Sequence, residues 1–344
     1  MRFSVARSEL AEALSVASRG LSARSTLPIL SGVLVSCTEG KVAFQTTDLE
    51  VSLKTHVAGL VEEQGQMVVP GRLFSEIVRN LPEAAVSCSL EKDVAHVSCG
   101  SASFTLKTLS PEDFPKFPEV QVDRWVKLPS EDISEVVRQV SRAVSRDETR
   151  AILTGILLVV EGPGLRMVAT DSYRLAVREI VLETPAAEST EVVIPGKAME
   201  EAIKLAQGSE TISLGVSENQ VVFEIGDTTF VTRRIEGTYP NYRALIPKEH
   251  ETSVTVATEE LLAAVKRVSL LAQHNASLRL SVHVEDQTLS LSAATQDVGD
   301  ASEDLMAKTT GQDVEIAFNH SFLMDGLSAI HSVPAGRSLP PHAG

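Results

Sequence analysis

The sequence has few of the residues that build redox or metal sites. It contains three cysteines, one tryptophan and only 4% aromatic residues in 344. Cys37, Cys88 and Cys99 lack CxxC spacing, which favours buried free thiols in a reducing cytoplasm over a metal site. The eight histidines form no i, i+4 pair flanking an acid. We therefore expect neither a metal nor a cofactor.

Long apolar runs and an excess of positive charge are also missing. No window approaches the roughly 18 unbroken apolar residues of a membrane helix. Charged residues at positions 2, 7, 9 and 12 interrupt the N-terminus, so we expect no signal peptide, no membrane partner and a cytoplasmic location. The net charge of −15 opposes nucleic-acid binding unless the basic residues gather on one surface.

What the sequence does contain is a segment that recurs three times. The stretches "QTTDLEVSLK", "VATDSYRLAV" and "SAATQDVGDA" place threonines at 47, 170 and 295. These positions lie 123 residues (47 to 170) and 125 residues (170 to 295) apart. A fixed spacing of one domain length is typical of a protein built from internal repeats.

A second recurring segment follows each of these threonines, and its equivalent positions lie 23 to 25 residues after them (47 to 70, 170 to 195 and 295 to 318). It reads "VVPGRLFSEIVRNL", "VVIPGKAMEEAIKL" and "VEIAFNHSFLMDGL", with Pro70, Pro195 and Phe318 in equivalent positions. The pattern predicts an α+β protein of three tandem domains, each made of two helix-plus-antiparallel-strand halves. We place the domains at 1–120, 121–247 and 248–332, the last incomplete, and interpret 333–344 as a disordered tail.

Basic residues occupy the polar side of the predicted helices. Projected at 100° per residue, the second helix directs Leu73 and Ile77 inward and Arg72 outward. For one helix this is an ordinary solvated face, but its repetition in an acidic protein suggests a surface that binds phosphates without reading sequence. The other candidates from this projection are Arg138, Arg142, Arg146, Lys197, Lys204 and Lys266.

An enzymatic interpretation has little support in the sequence. Asp48 and Asp171 recur, but Asp297 repeats them only loosely, and no base, nucleophile or metal cluster accompanies them. Aspartates at strand ends more often bond the local backbone in turns. Gly162 and Gly164 fall between predicted strands rather than before a helix, which argues against a dinucleotide site. We therefore expect a protein that is not an enzyme.

Four stretches are distinctive: "RSTLPILSGVLV", "ATDSYRLAV", "VIPGKAM" and "GTYPNYRALIP". With them the sequence resembles the bacterial DNA sliding clamp, the beta subunit family of the replicative DNA polymerase. The resemblance implies a polymerase processivity factor. It also implies a head-to-tail homodimer whose three-domain chains each form half of a ring around duplex DNA. On the family's pattern, Arg24 and the loop 147–150, with Arg150, contact DNA.

The resemblance also implies a site for short linear peptides of the polymerase and the clamp loader. Aliphatic walls, a tyrosine and a few polar groups suit that task, although a leucine in such a set can also be plain core. The matching positions are Leu153, Thr170, Ser172, Tyr173, Arg174, Leu175, Pro240, Ala244 and Leu245.

The family pattern ends after "FLMDGLSAI". The remaining "HSVPAGRSLPPHAG" has no strand alternation, so we expect an open sheet edge and exposed apolar surface in the third domain. This leaves an alternative function open. A ring-defective clamp relative would bind peptides or intact protomers without encircling DNA.

Overall fold

The computed structural model describes residues 1–22, 27–122, 124–182, 185, 189–272 and 277–330. The predicted repeat is present as three modules in chain order. The first module is β1 (Arg2–Ala6), α1 (Arg7–Ala17), β2 (Gly32–Thr38), β3 (Lys41–Thr47), β4 (Val51–Ala58), β5 (Leu60–Glu63), β6 (Gly65–Pro70), α2 (Gly71–Asn80), β7 (Ala85–Glu91), β8 (Val94–Cys99) and β9 (Ala102–Lys107).

The second module repeats this order, with no counterpart of β5 among its described residues. Its elements are β10 (Arg124–Pro129), α3 (Ser130–Val140), β11 (Gly155–Glu161), β12 (Gly164–Thr170), β13 (Leu175–Val181), β14 (Thr190–Pro195), α4 (Gly196–Leu205), β15 (Thr211–Val216), β16 (Gln220–Ile225) and β17 (Thr228–Arg233).

The third module is described as far as its second helix. Its elements are β18 (Ser253–Thr255), α5 (Thr258–Val268), β19 (Leu278–His283), β20 (Thr288–Thr295), β21 (Gly299–Met306), β22 (Lys308–Thr310), β23 (Val314–Phe318) and α6 (His320–Ala329).

Both recurring segments fall at the same structural points in each module. Thr47, Thr170 and Thr295 are the last residues of β3, β12 and β20. Pro70 and Pro195 end β6 and β14, directly before a helix, as Phe318 ends β23 just before α6. The residue-level spacing therefore marks equivalent strand ends.

The first and second modules share one sheet. Its eight strands run β10-β15-β16-β17-β4-β3-β2-β6. The join is the antiparallel pair of β17 with β4, in which Phe230 lies opposite Leu53; both side chains are buried. A five-stranded sheet, β5-β1-β7-β8-β9, and a four-stranded sheet, β13-β12-β11-β14, complete these modules.

Two compact units result. The first comprises the described residues of Met1–Ala169 and Val177–Thr238, and the second comprises Thr170–Ala176 with the described chain from Tyr239 onward. In the first unit, large buried aromatics such as Phe44, Phe74 and Phe223 fill the core. In the second, a smaller core centres on Val265, Leu278 and Leu291.

A glycine follows the proline at the start of α2 and of α4, and the packing there explains why. Gly71 opens α2 at a crowded position, where an added Cβ would lie 2.7 Å from Leu21 Cδ1 and 2.8 Å from Val33 Cγ2. Gly196 opens α4 in the same way, 3.0 Å from Val144 Cγ1. Only glycine lets the helix approach its sheet this closely.

The inward face of α2 differs from the sequence prediction. Leu73 is 47% exposed and Ile77 is half-buried, whereas Phe74 and Val78 are fully buried. The buried face is thus turned by one residue, because Phe74 offers more apolar area to the core than Leu73. Arg72 is exposed, as predicted.

The third module has an open sheet edge in the described part of the chain. There β18 pairs only with β22, whereas β1, its counterpart in the first module, pairs with both β5 and β7. On β23, Val314, Ile316 and Phe318 are 41%, 46% and 37% exposed. Among the described residues, β18 therefore has one unpaired edge, and the apolar side chains of β23 are exposed.

Candidate functional site

The turn after β12 is a tightly bonded Thr-Asp turn. Thr170 Oγ1 donates to the Arg174 carbonyl over 2.7 Å and accepts the Ser172 N–H. Asp171 Oδ1 accepts the N–H groups of Tyr173 (2.9 Å) and Arg174 (3.0 Å). Ser172 adopts a φ of 77°. The aspartate bonds the local backbone of a turn, as the sequence predicted.

Arg174 is fixed by two carboxylates and a ring. Its Nε donates to Asp171 Oδ2 at 3.1 Å, and its Nη1 donates to Asp325 Oδ2 at 2.6 Å. Its guanidinium carbon lies 4.3 Å from the centre of the Phe322 ring, within cation–π range. The side chains of Arg174 and Asp171 are 23% and 13% exposed, so these charge-assisted bonds are shielded from water.

Asp325 and Phe322 belong to the site, and the sequence analysis missed both. They lie three residues apart on one face of α6, more than 140 residues after Arg174. The one signal was the lone acid within the apolar run "FLMDGL". An acid on an apolar helix face needs a partner, but nothing in the sequence identified Arg174 as that partner.

Several apolar side chains of the predicted peptide site are exposed. Tyr173 is 81% exposed, with its ring centre 6.4 Å from that of Phe322. In the second unit, Leu245 and Ile246 are 62% and 49% exposed. Pro240 and Ala244 are also exposed, and Leu175 is half-buried. Leu153 lies in the first unit and is 5% exposed.

A buried tyrosine supports the turn in the second unit. Tyr239 is 9% exposed. Burial raises the pKa of its phenol to about 12, and a hydrogen bond with the Thr170 main chain partly opposes that rise. Next to it, Tyr242 begins the 3₁₀ turn Tyr242–Leu245 that carries Ala244 and Leu245. Tyr239 therefore links this segment to the Thr-Asp turn.

The predicted phosphate-binding residues lie on the surface. Seven are exposed and Arg150 is half-buried; Arg24 lies outside the described residues. Arg150 donates to Asp147 Oδ2 at 3.1 Å, and hydrogen bonds from Thr149, then from Arg150, lower the pKa of Asp147. The exposed seven are Arg72, Arg138, Arg142, Arg146, Lys197, Lys204 and Lys266.

Some of these cations are paired and others are not. Lys204 Nζ donates to Glu201 Oε1 at 2.7 Å, and Arg138 Nε donates to the Ser134 carbonyl. Within the described ranges, Arg72, Lys197 and Lys266 form no ion pair.

In the part of the chain that the structure describes, no group of His, Cys, Asp or Glu could hold a metal ion. No helix described there has the length and apolarity to cross a membrane.

Three domain families match the chain along its length. They are the N-terminal, central and C-terminal domains of the DNA polymerase III beta subunit, at residues 1–118, 127–241 and 243–336. The beta sliding clamp of Streptomyces coelicolor is 37% identical over 98% of this chain and 91% of its own.

Solved sliding clamps share the fold as well. The Bacillus subtilis clamp superposes with a TM-score of 0.91 at 30% identity, over 96% of this chain and 90% of its own. The Pseudomonas aeruginosa clamp bound to griselimycin gives 0.90 at 28% identity, over the same shares.

The three-module fold and these matches define a DNA sliding clamp, a processivity factor of DNA replication. The chain belongs to the DNA polymerase III beta subunit family. Nothing in the matches favours the ring-defective alternative that the sequence left open.

Proposed function

We propose that two copies of this chain close head-to-tail into a ring around duplex DNA. The pairing of β17 with β4 carries this proposal, because it shows how consecutive modules join edge to edge. By the repeat, β9 is the counterpart of β17 and β21 is the counterpart of β4. In the described chain each of these strands ends its sheet with one edge unpaired. A heterologous pair of β21 with β9 of a second copy repeats the internal joint and closes the ring.

Light scattering after size exclusion, at several concentrations, tests the ring. We expect twice the mass of one chain. Phe104→Glu on β9, where Phe104 is 38% exposed, should give monomers because it places a charge at the joint. Leu60→Glu is the matched control: it lies 66% exposed on β5, at the opposite edge of the same sheet, and should leave the dimer intact. A wild-type chain that stays monomeric at all concentrations contradicts the proposal.

We further propose that the exposed helix cations face the DNA and bind its phosphates without reading sequence. Their modest number on an acidic body suits a ring that slides, because strong phosphate contacts would hold it in place. Retention on nicked circular DNA, lost once the circle is linearised, is the expected result.

The domain limits 1–120, 121–247 and 248–332, with a tail at 333–344, remain part of this proposal.

The second-unit surface of Tyr173, Leu245 and Ile246 is the proposed docking site for polymerase and clamp-loader peptides. Its exposed apolar area and the fixed Arg174 support this role. Leu153, Thr170, Ser172, Leu175, Pro240 and Ala244 remain proposed members of the peptide site. Titration with griselimycin, a ligand of the Pseudomonas aeruginosa clamp, tests the site. Tyr173→Ala should weaken binding, whereas Leu49→Ala, at the matching turn of the first module, should not.

No step of this function needs catalysis or a cofactor. We propose that the protein works in the cytoplasm as a mechanical tether. Nucleotide hydrolysis by the purified chain would contradict this part of the proposal.

A further inference from the structure

One carboxylate holds two helix cations from different modules. Glu201, on α4, accepts a hydrogen bond from Arg19 Nη1 at 3.0 Å on Oε2 and one from Lys204 Nζ at 2.7 Å on Oε1. Arg19 follows α1 in the first module, within the 3₁₀ turn Ser18–Gly20. Both oxygens of Glu201 are thus engaged, one by each module.

This cluster is partly shielded from water. The side chains of Arg19, Glu201 and Lys204 are 35%, 32% and 45% exposed. Partial burial acts to raise the pKa of Glu201, but the hydrogen bonds from Lys204 and Arg19 outweigh it and lower that pKa. The carboxylate therefore stays ionised at neutral pH, and the cluster carries one net positive charge instead of two.

We infer that Glu201 sets the strength of DNA contact at the junction of the first two modules by withholding Arg19 and Lys204 from phosphates. The inference rests on the proposed DNA-facing role of the helices. A cation already paired with a carboxylate releases fewer counterions when DNA arrives, so it contributes less to affinity and to salt dependence. For a ring that must slide, weak contact at this point is an advantage.

The other carboxylate–cation pairs near the helices differ in one respect. Among the described residues, the ion pair of Asp147 is with Arg150 and that of Glu303 is with Arg267. Neither pair joins two modules. Glu201 is therefore the position where one substitution releases two cations in the described chain.

The test measures the binding of a fluorescent duplex of about 30 base pairs by anisotropy, between about 50 and 200 mM salt. Glu201→Gln keeps the side-chain shape and removes the charge. We expect tighter binding and a slope of log K against log salt that is steeper by about 0.9 for each cation released. Glu200→Gln is the matched control, since the neighbouring Glu200 forms no ion pair with a described residue and the net charge changes equally.

A double-mutant cycle separates charge setting from a merely structural role. Arg19→Gln should weaken DNA binding more in the Glu201→Gln background than in the wild type, because only there is Arg19 available to phosphates. Equal effects in both backgrounds, or equal slopes for Glu201→Gln and Glu200→Gln, would overturn the inference. Lys204→Gln with Glu201 intact is a second route to the same comparison if Glu201→Gln is unstable.

A triple variant, Arg72→Ala, Lys197→Ala and Lys266→Ala, separates two possible failures. One is failure of the role inferred for Glu201, and the other is failure of the proposed DNA-facing role of the helices. These cations are unpaired in the described chain, so their removal should flatten the salt slope. A flattened slope together with indistinguishable Glu201→Gln and Glu200→Gln variants overturns only the role of Glu201. An unchanged slope overturns the DNA-facing role of the helices and the inference with it.

Discussion

The turns after β3 and β12 have the same backbone and different uses. In the first module, Thr47 Oγ1 donates to the Val51 carbonyl over 2.7 Å, the distance found from Thr170 to Arg174. Asp48 Oδ1 accepts the N–H groups of Glu50 and Val51 at 2.9 and 2.8 Å. Leu49 has a φ of 78°, and Ser172 has a φ of 77°. The repeat thus fixes the turn and leaves its side chains free to vary.

The two turns differ in what the fourth residue after the threonine contacts. In the first module this residue is Val51, which begins a strand in the shared sheet. In the second module it is Arg174, which joins Asp171 to Asp325. The common turn presents either a sheet-forming valine or an arginine that joins two carboxylates. The side chain at this position therefore differs between the copies while the backbone of the turn stays the same.

The third copy has the turn without the acid. Asp297 occupies the positive-φ position, with a φ of 64°, so Gln296 stands where Asp48 and Asp171 stand in the other modules. Thr295 instead donates to the Leu271 carbonyl. This explains why Asp297 repeated the other aspartates only loosely: it matches Leu49 and Ser172 in register.

The largest effect should come from removing Arg174, the residue that distinguishes the turn of the second module from that of the first. Arg174→Ala breaks two ion pairs and a cation–π contact, and it leaves Asp325 partly buried without its cation. We expect griselimycin affinity to fall about 10- to 100-fold, measured by calorimetry. Val51→Ala, at the matching position, should leave affinity unchanged. Wild-type affinity in the Arg174→Ala variant would show that the network does not shape the site.

A β-branched residue at the positive-φ positions should be the next most costly change. L-residues with a branched Cβ strongly disfavour this region, so Leu49→Val and Ser172→Val should each destabilise their unit by about 1–3 kcal/mol. Because the turns belong to different compact units, denaturant unfolding followed by hydrogen exchange should show losses in different segments. Only Ser172→Val should also weaken griselimycin binding. If each substitution lowered hydrogen-exchange protection equally in both units, the two turns would not belong to independent units.

A smaller effect is expected from substituting Tyr239, whose counterpart in the first module is Phe114. Phe114 lies 125 residues before Tyr239 (114 to 239), and it packs on Leu34 and Val68 without a polar group. Tyr239→Phe copies the first module and removes the hydrogen bond with Thr170, which should cost about 1 kcal/mol.

The same substitution has a pH signature. The folded pKa of Tyr239, about 12, exceeds its ordinary value of 10, so the folded protein holds this proton more tightly than the unfolded chain. Its contribution is complete below pH 10 and is lost as the pH rises from 10 to 12. The unfolding free energy of Tyr239→Phe should fall less steeply across that window than that of the wild type. Parallel curves would show that the phenol does not titrate as described.

The repeat was readable from the sequence because its markers are local. A threonine at a strand end and a proline before a helix need particular residues at fixed places, so their spacing revealed three modules. The β17–β4 joint was not predicted, because edge pairing depends on how two strands meet in space. Asp325 was missed for the same reason, since its partner lies 151 residues away. The error at Leu73 arose because an ideal helical projection ignores which side chain fills the core best.

The smallest effects are expected from substituting the two turn aspartates, Asp48 and Asp171. Asp48→Asn should change stability by less than about 0.5 kcal/mol, because the amide oxygen can still accept both turn N–H groups. Asp171→Asn keeps those bonds but removes the negative charge beside Arg174, leaving Asp325 as its one carboxylate partner among the described residues.

We expect Asp171→Asn to weaken griselimycin binding about 3-fold, within the range for loss of one charge-assisted bond. Asp48→Asn should bind like the wild type. Thermal unfolding controls for folding, since both variants should melt close to the wild type. Equal binding by the two variants would mean that Asp171 serves only the backbone turn, as Asp48 does, and that Asp325 alone orients the arginine.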